Sequence, residues 1–227
     1  MREYLTDRYK TRDADRIVFL IEHFPFATLV PEELPGGGFV FVPVIVDRTD
    51  DAGDERIALV GHVDSQNPFL RQLDGRRLRA LFHGPNAYIS PLDYVSSQFP
   101  TWNYAVVEAV GTSTLIEDDG EKLAWMIRMI EDLERANGST YRLDESDGRV
   151  PGQIRSITFF RLEVESMVGT FKFAQEKSTE DRAGARERFL EKATRNLERT
   201  LPRLAEDVDA RRNGSGELQI ERAWGGR

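Results

Sequence analysis

The chain has 227 residues, 40% of them apolar and 31% charged, a formal net charge of −8 and no cysteine. That is room for one barrel domain with helical additions or for two small domains; thiolate chemistry is excluded, so a soft-metal or haem ligand must be His or Met. No apolar run approaches the roughly 20 residues of a membrane span, and Met1–Leu5 lacks the apolar core of a signal peptide, so a cytoplasmic protein without a membrane partner is expected.

A first helix is expected from Asp13 to about His23, with Ile17, Leu20 and Ile21 on one stripe and Pro25 after its end. Phe26–Val30 reads as a strand. A Pro35–Gly38 turn leads to the apolar run Phe39–Val46, which suits a strand buried on both faces. A turn at Asp50–Asp54 then lets Arg56–His62 pair back as a hairpin. Further strands are expected at Arg77–Phe82, Ala87–Ser90, Tyr104–Val110 and Thr112–Glu117. Glu121–Ala136 carries Leu123, Met126, Ile127, Ile130 and Leu133 at helical spacing and ends at Asn137-Gly138. Ile154–Val164 and Thr170–Ala174 read as the last strands. Ser178–Asp181 caps a long helix with Phe189, Leu190, Ala193, Leu197 and Leu201 facing inward, and the tail after Arg211 reads as loose. The whole is α+β, mainly β: a barrel with flanking helices and a long C-terminal helix. The expected division is a barrel domain over 1–176, a helix packed on it over 177–210, and a tail over 211–227.

The acidic balance argues against direct nucleic-acid binding, which needs a basic footprint. The one basic cluster, Arg76-Arg77-Leu78-Arg79, follows a turn at Asp74-Gly75, and no helix-turn-helix pattern is visible. No Walker loop, G-x-G-x-x-G, H-E-x-x-H or G-x-S-x-G occurs.

His62 is the most informative residue. It opens a series of local patterns: Gly61-His62 with Gln66-Asn67-Pro68, then Phe82-His83-Gly84-Pro85-Asn86-Ala87-Tyr88-Ile89-Ser90-Pro91, then Pro100-Thr101-Trp102-Asn103-Tyr104, then Phe171–Gln175. On spacing alone His62 also reads as a core histidine at a strand end. The patterns, running in order from about Phe24 to Gln175, resemble the PaiB-like family, FMN-binding negative transcriptional regulators with a split β-barrel. The resemblance implies a homodimer with a cofactor at the subunit interface. It extends to piperazate synthases, which bind haem b and close a nitrogen–nitrogen bond in an N-hydroxylated amino acid during natural-product biosynthesis.

The chain departs from the flavin-binding pattern. Where that pattern carries Ala-Thr-His-(Leu or Val)-Pro, this chain has Phe39-Val40-Phe41-Val42-Pro43. Asp64-Ser65-Gln66 replaces a step that usually holds an arginine. A flavin phosphate wants a cation or a helix N-terminus, so the changes favour haem b over FMN. His62 is accordingly expected as the metal ligand, with His83 next in line and His23 structural. Asn67, His83, Trp102 and Lys172 are expected around the cofactor. Tyr88, Asp64 and Glu108 are the candidate proton handlers, and Lys172 or Arg161 could hold a substrate carboxylate. Glu108 also reads as a solvent-facing residue of an alternating strand. The expected function is a haem-dependent enzyme closing a nitrogen–nitrogen bond in a small N-hydroxylated amino acid. The alternatives are an FMN-binding regulator and an FMN-dependent oxidoreductase.

Overall fold

The computed structural model describes residues 7–32, 38–51 and 54–212. Most of the expected Pro35–Gly38 turn, the hairpin tip at 52–53 and the tail beyond Arg212 lie outside these residues, as do the side chains of Leu197 and Leu201. Seven strands form one sheet: β1 Lys10–Thr11, β2 Phe26–Pro31, β3 Val40–Asp51, β4 Asp54–Asp64, β5 Arg76–Ile89, β6 Thr101–Ile116 and β7 Ile157–Lys172. Their order is β1-β7-β4-β3-β2-β5-β6, and an added β7–β6 pairing closes six of them into an antiparallel barrel with β1 outside. The helices are α1 Ala14–His23, α2 Asp119–Asn137, α3 Val150–Ser156 and α4 Thr179–Arg212. The split-barrel fold expected from the sequence is the one observed.

The chain divides into two compact units, Met1–Pro85 with Tyr104–Lys172, and Asn86–Asn103 with Phe173–Arg227. In the first, period-2 alternation sends Leu59, Phe160, Leu162 and Val107 into the barrel, where Ile17, Leu20 and Ile21 of α1 join them. Each such side chain contributes about 1.5–3 kcal/mol by leaving water. The opposite sheet face is covered locally by α2, with Met129 packed on Ile45, Val60, Ile116 and Phe159. In the second unit, Ala185 and Phe189 of α4 pack on Ala87, Ile89 and Tyr94.

The Gly138 end of α2 is as expected, while α2 starts at Asp119, two residues before the expected Glu121. Asp13 accepts from the Arg16 amide, and Gly138 closes α2 at φ 72, a left-handed conformation that favours glycine. Other expectations need correction. The strands separated at Gly84-Pro85 and at Gly111 are single long strands, because close approach, and not a turn, requires those glycines. A Cβ on Gly84 would stand 2.9 Å from Leu20 Cδ1, and one on Gly111 would stand 1.9 Å from the Glu163 carbonyl oxygen. Gly111 marks a shift of register between β6 and β7. Residues 154–156 belong to α3, where Val150 and Ile154 are buried one turn apart. β3 is not buried on both faces: Phe41 is 54% exposed, as is Phe39 just before the strand at 61%. On α4, Phe189 faces inward but Leu190 is exposed.

Candidate cofactor site

His62 lies near the end of β4, whose Leu59 and Val63 point into the barrel and whose Val60 points outward into the cluster under α2. Two residues after Val60, His62 takes the outward face. Its ring centroid is 5.0 Å from that of Phe159, its partner on β7. Gly61 allows β4 to close in here, since a Cβ would stand 2.8 Å from Phe160 Cζ and 3.0 Å from the Pro43 carbonyl oxygen. Burial holds the His62 imidazole below its ordinary pKa, which favours the neutral ring. Its Nδ1 is buried with no hydrogen-bond partner among the described residues.

The same face carries an aromatic wall. Val44 pairs with Gly61 and Ile45 with Val60, so Pro43 and Phe41, at two-residue steps from Ile45, share the face of His62. Phe41 stacks on Phe26 at 6.0 Å and 19°, and meets Phe39 edge-on at 5.1 Å. His83 follows Phe82, the partner of Ala27; one step along that register lies Phe26, so the exposed His83 extends the wall. The two arginines nearby in sequence are engaged: Arg79 with Glu32 and Glu108, Arg77 with Glu32 and Glu165.

The remaining expected residues fall into separate groups. Asp64 accepts from the Gln66 amide at 2.7 Å, and Asn67 accepts from the Phe69 amide at 2.9 Å, so both build the turn that follows His62. Glu108 on β6 forms an ion pair with Arg79 at 2.5 Å. Lys172, across from Tyr104, has its Nζ 5.8 Å from the Tyr9 ring. It sits thirteen residues along β7 from Phe159, at the far end of the strand from His62. Arg161 is held by Asp47 at 2.7 Å and Glu163 at 2.5 Å. In the second unit, Tyr88 and Trp102 pair at 6.3 Å, Trp102 Nε1 donates to Asn86 Oδ1, and Lys192 of α4 hydrogen-bonds Asp93 with its Nζ 5.8 Å from the Tyr88 ring.

Sequence reading missed two of these participants. Phe26 carried no signal beyond strand propensity. Lys192 lies more than a hundred residues from Tyr88, and no local pattern links them. Among the described residues there is no cluster of three or more His, Asp or Glu side chains able to hold a metal ion.

A family described as "Putative FMN-binding domain" matches residues 3–166. The protease synthase and sporulation protein PAI 2 of Bacillus subtilis is 26% identical over 180 residues, covering 78% of this chain and 84% of that protein. Among solved structures, the flavocytochrome Anf3 of Azotobacter vinelandii is 14% identical with a TM-score of 0.55, over 80% of this chain and 78% of its own. The FAD and haem binding protein of Mycobacterium smegmatis is 16% identical with a TM-score of 0.53, over 78% and 80%. At these identities the two structures establish a shared fold.

Proposed function

The chain belongs to the FMN-binding-domain family of split barrels, and from that premise we propose that it is a haem-dependent enzyme acting on a small N-hydroxylated amino acid. His62 carries this reading. A half-buried imidazole kept neutral by its surroundings is a suitable axial ligand, and its Nδ1 has no hydrogen-bond partner among the described residues. Phe26, Phe39 and Phe41 offer an apolar bed for a macrocycle on the same face. A flavin phosphate finds little there, since Arg77 and Arg79 are already in ion pairs.

Haem iron bound at His62 would supply Lewis acidity toward an N–OH oxygen. The reaction we assign forms a nitrogen–nitrogen bond as a second amine of the substrate displaces that oxygen. The N–O bond breaks, water leaves, and no external oxidant or reductant is consumed. Of the expected proton handlers, Asp64 and Glu108 belong to the same unit as His62, Glu108 only once it parts from Arg79, and Lys172 is the cation for a substrate carboxylate. His62 lies on β4 beside the Phe159 end of β7 and Lys172 at the other end of β7, so a site using both would be shared between two copies. The aromatic wall supports a homodimer as well. Three phenylalanines more than half exposed, each roughly 200 Å² in side-chain area, supply a substantial part of the ~800 Å² per partner of a standard interface.

The family match itself favours a second reading, a flavin-dependent oxidoreductase or flavin-binding regulator. The absorption spectrum of the purified protein separates the two. A Soret band with histidine-ligated character supports haem, and flavin bands without a Soret band would overturn it. Turnover of an N-hydroxylated diamino acid to a cyclic hydrazine then tests the reaction, and a haem-loaded protein that leaves such substrates unchanged would remove that assignment alone.

A further inference from the structure

A cavity of about 520 Å³ opens between the last turn of α1, β3 and the second half of α2, within the roughly 300–1,000 Å³ of small-molecule sites. Pro25, Ile45, Leu133 and Ala136 give it an apolar floor. Its rim carries the guanidinium groups of Arg48, Arg128 and Arg135 and the carboxylates of Glu22 and Asp132. The arginines invite an anion, but each already has a carboxylate: Arg48 has Asp15 at 3.0 Å, Arg128 has Asp47 at 2.5 Å, and Arg135 has Asp132 at 2.9 Å. An incoming anion would have to displace one of them.

Glu22 is the acid left over. It is exposed and has no ion pair or hydrogen bond among the described residues. Next to it, His23 Nδ1 donates to the Phe19 carbonyl at 2.8 Å. A carbonyl can only accept, so Nδ1 carries a proton, and in that tautomer Nε2 is the acceptor. Both residues end α1, and Asp132–Ala136 lie in the closing turns of α2. The C-terminal ends of both helices carry partial negative charge, which favours a cation.

We propose that this cavity binds an aliphatic primary ammonium ion. Glu22 is its counter-ion, His23 Nε2 its second acceptor, and Ile45, Leu133 and Ala136 the surface for its hydrocarbon chain. The site uses neither His62 nor the phenylalanines of the aromatic wall, so it stands whatever the cofactor is.

Isothermal titration of the full chain with n-hexylamine, n-hexanoate and n-hexanol at matched ionic strength tests this. The amine should bind, and the carboxylate and the alcohol should each bind at least about tenfold more weakly, the loss of one charge-assisted hydrogen bond. Glu22→Gln should weaken the amine by about the same factor while leaving the thermal midpoint unchanged, because Glu22 is exposed. Ala136→Trp, also at an exposed position, should crowd the cavity and weaken the amine, and His62→Ala should bind the amine as the parent does. Hexanoate or hexanol binding as tightly as hexylamine, or a Glu22→Gln protein with unaltered amine affinity, would overturn the assignment.

Discussion

Of the three histidines, His62 alone has a ring nitrogen buried without a partner; His23 is tied to the Phe19 carbonyl and His83 is exposed. This has a consequence for pH. Burial lowers the folded-state pKa of His62 below the unfolded value of 6.5, so between the two values the unfolded chain binds the extra proton. The stabilising contribution of the neutral ring is therefore complete above pH 6.5 and is lost as pH falls toward the folded value. Thermal midpoints measured from pH 7.5 to 5 should drop more steeply for the cofactor-free parent than for His62→Phe; parallel curves would contradict this. Gly111→Ala makes a second residue-scale prediction. Its Cβ would stand 1.9 Å from the Glu163 carbonyl oxygen, so the strands must part, at a cost of about 3 kcal/mol. Urea unfolding within about 0.5 kcal/mol of the parent would show that the bulge yields without strain.

At the scale of elements, α2 is fastened to the sheet by a buried carboxylate. Asp47 on β3 accepts from Arg128 of α2 at 2.5 Å and from Arg161 of β7 at 2.7 Å, and both guanidinium groups lie over the Trp125 ring. Burial pushes the Asp47 pKa up, but the two arginines outweigh it and hold the carboxyl below 3.8. Its contribution is thus present above about pH 4 and is lost in more acid solution. Asp47→Ala should cost about 1–2 kcal/mol, because Arg161 keeps Glu163 and Arg128 keeps Asp132 and the Val46 carbonyl, with α2 amides exchanging faster than those of the barrel. An exchange pattern uniform across the chain would count against this clamp. The same elements show what was legible in the sequence. α1 and α2 could be read because their caps, Asp13 and Gly138, act locally. The long strands could not, because Gly84 and Gly111 carry the same letter whether they make a turn or admit a neighbouring strand. Pro151 and Gly152 likewise hid α3. The open face of β3 escaped because burial depends on which helix lies above a strand, and α2 covers Ile45 but leaves Phe41 exposed.

At the scale of the whole molecule, local patterns identified the split barrel and singled out His62, but they did not show how the expected residues are distributed. Asp64 and Asn67 serve the turn after β4, Glu108 is paired with Arg79, and Lys172 lies at the other end of β7 from His62. A dimer should therefore be needed for function. Sedimentation at micromolar concentration should give twice the chain mass, and Phe41→Glu, which places a charge in the aromatic wall, should shift it toward one. A parent protein that already runs as a single chain would remove the shared site. The central claim is that His62 binds haem iron. Titrating haem into cofactor-free parent, His62→Ala and His83→Ala proteins while following the Soret band tests it most directly. Haem should bind stoichiometrically and with histidine-ligated character in the parent and in His83→Ala, and little or not at all in a still-folded His62→Ala; a normal histidine-ligated spectrum in His62→Ala would contradict this.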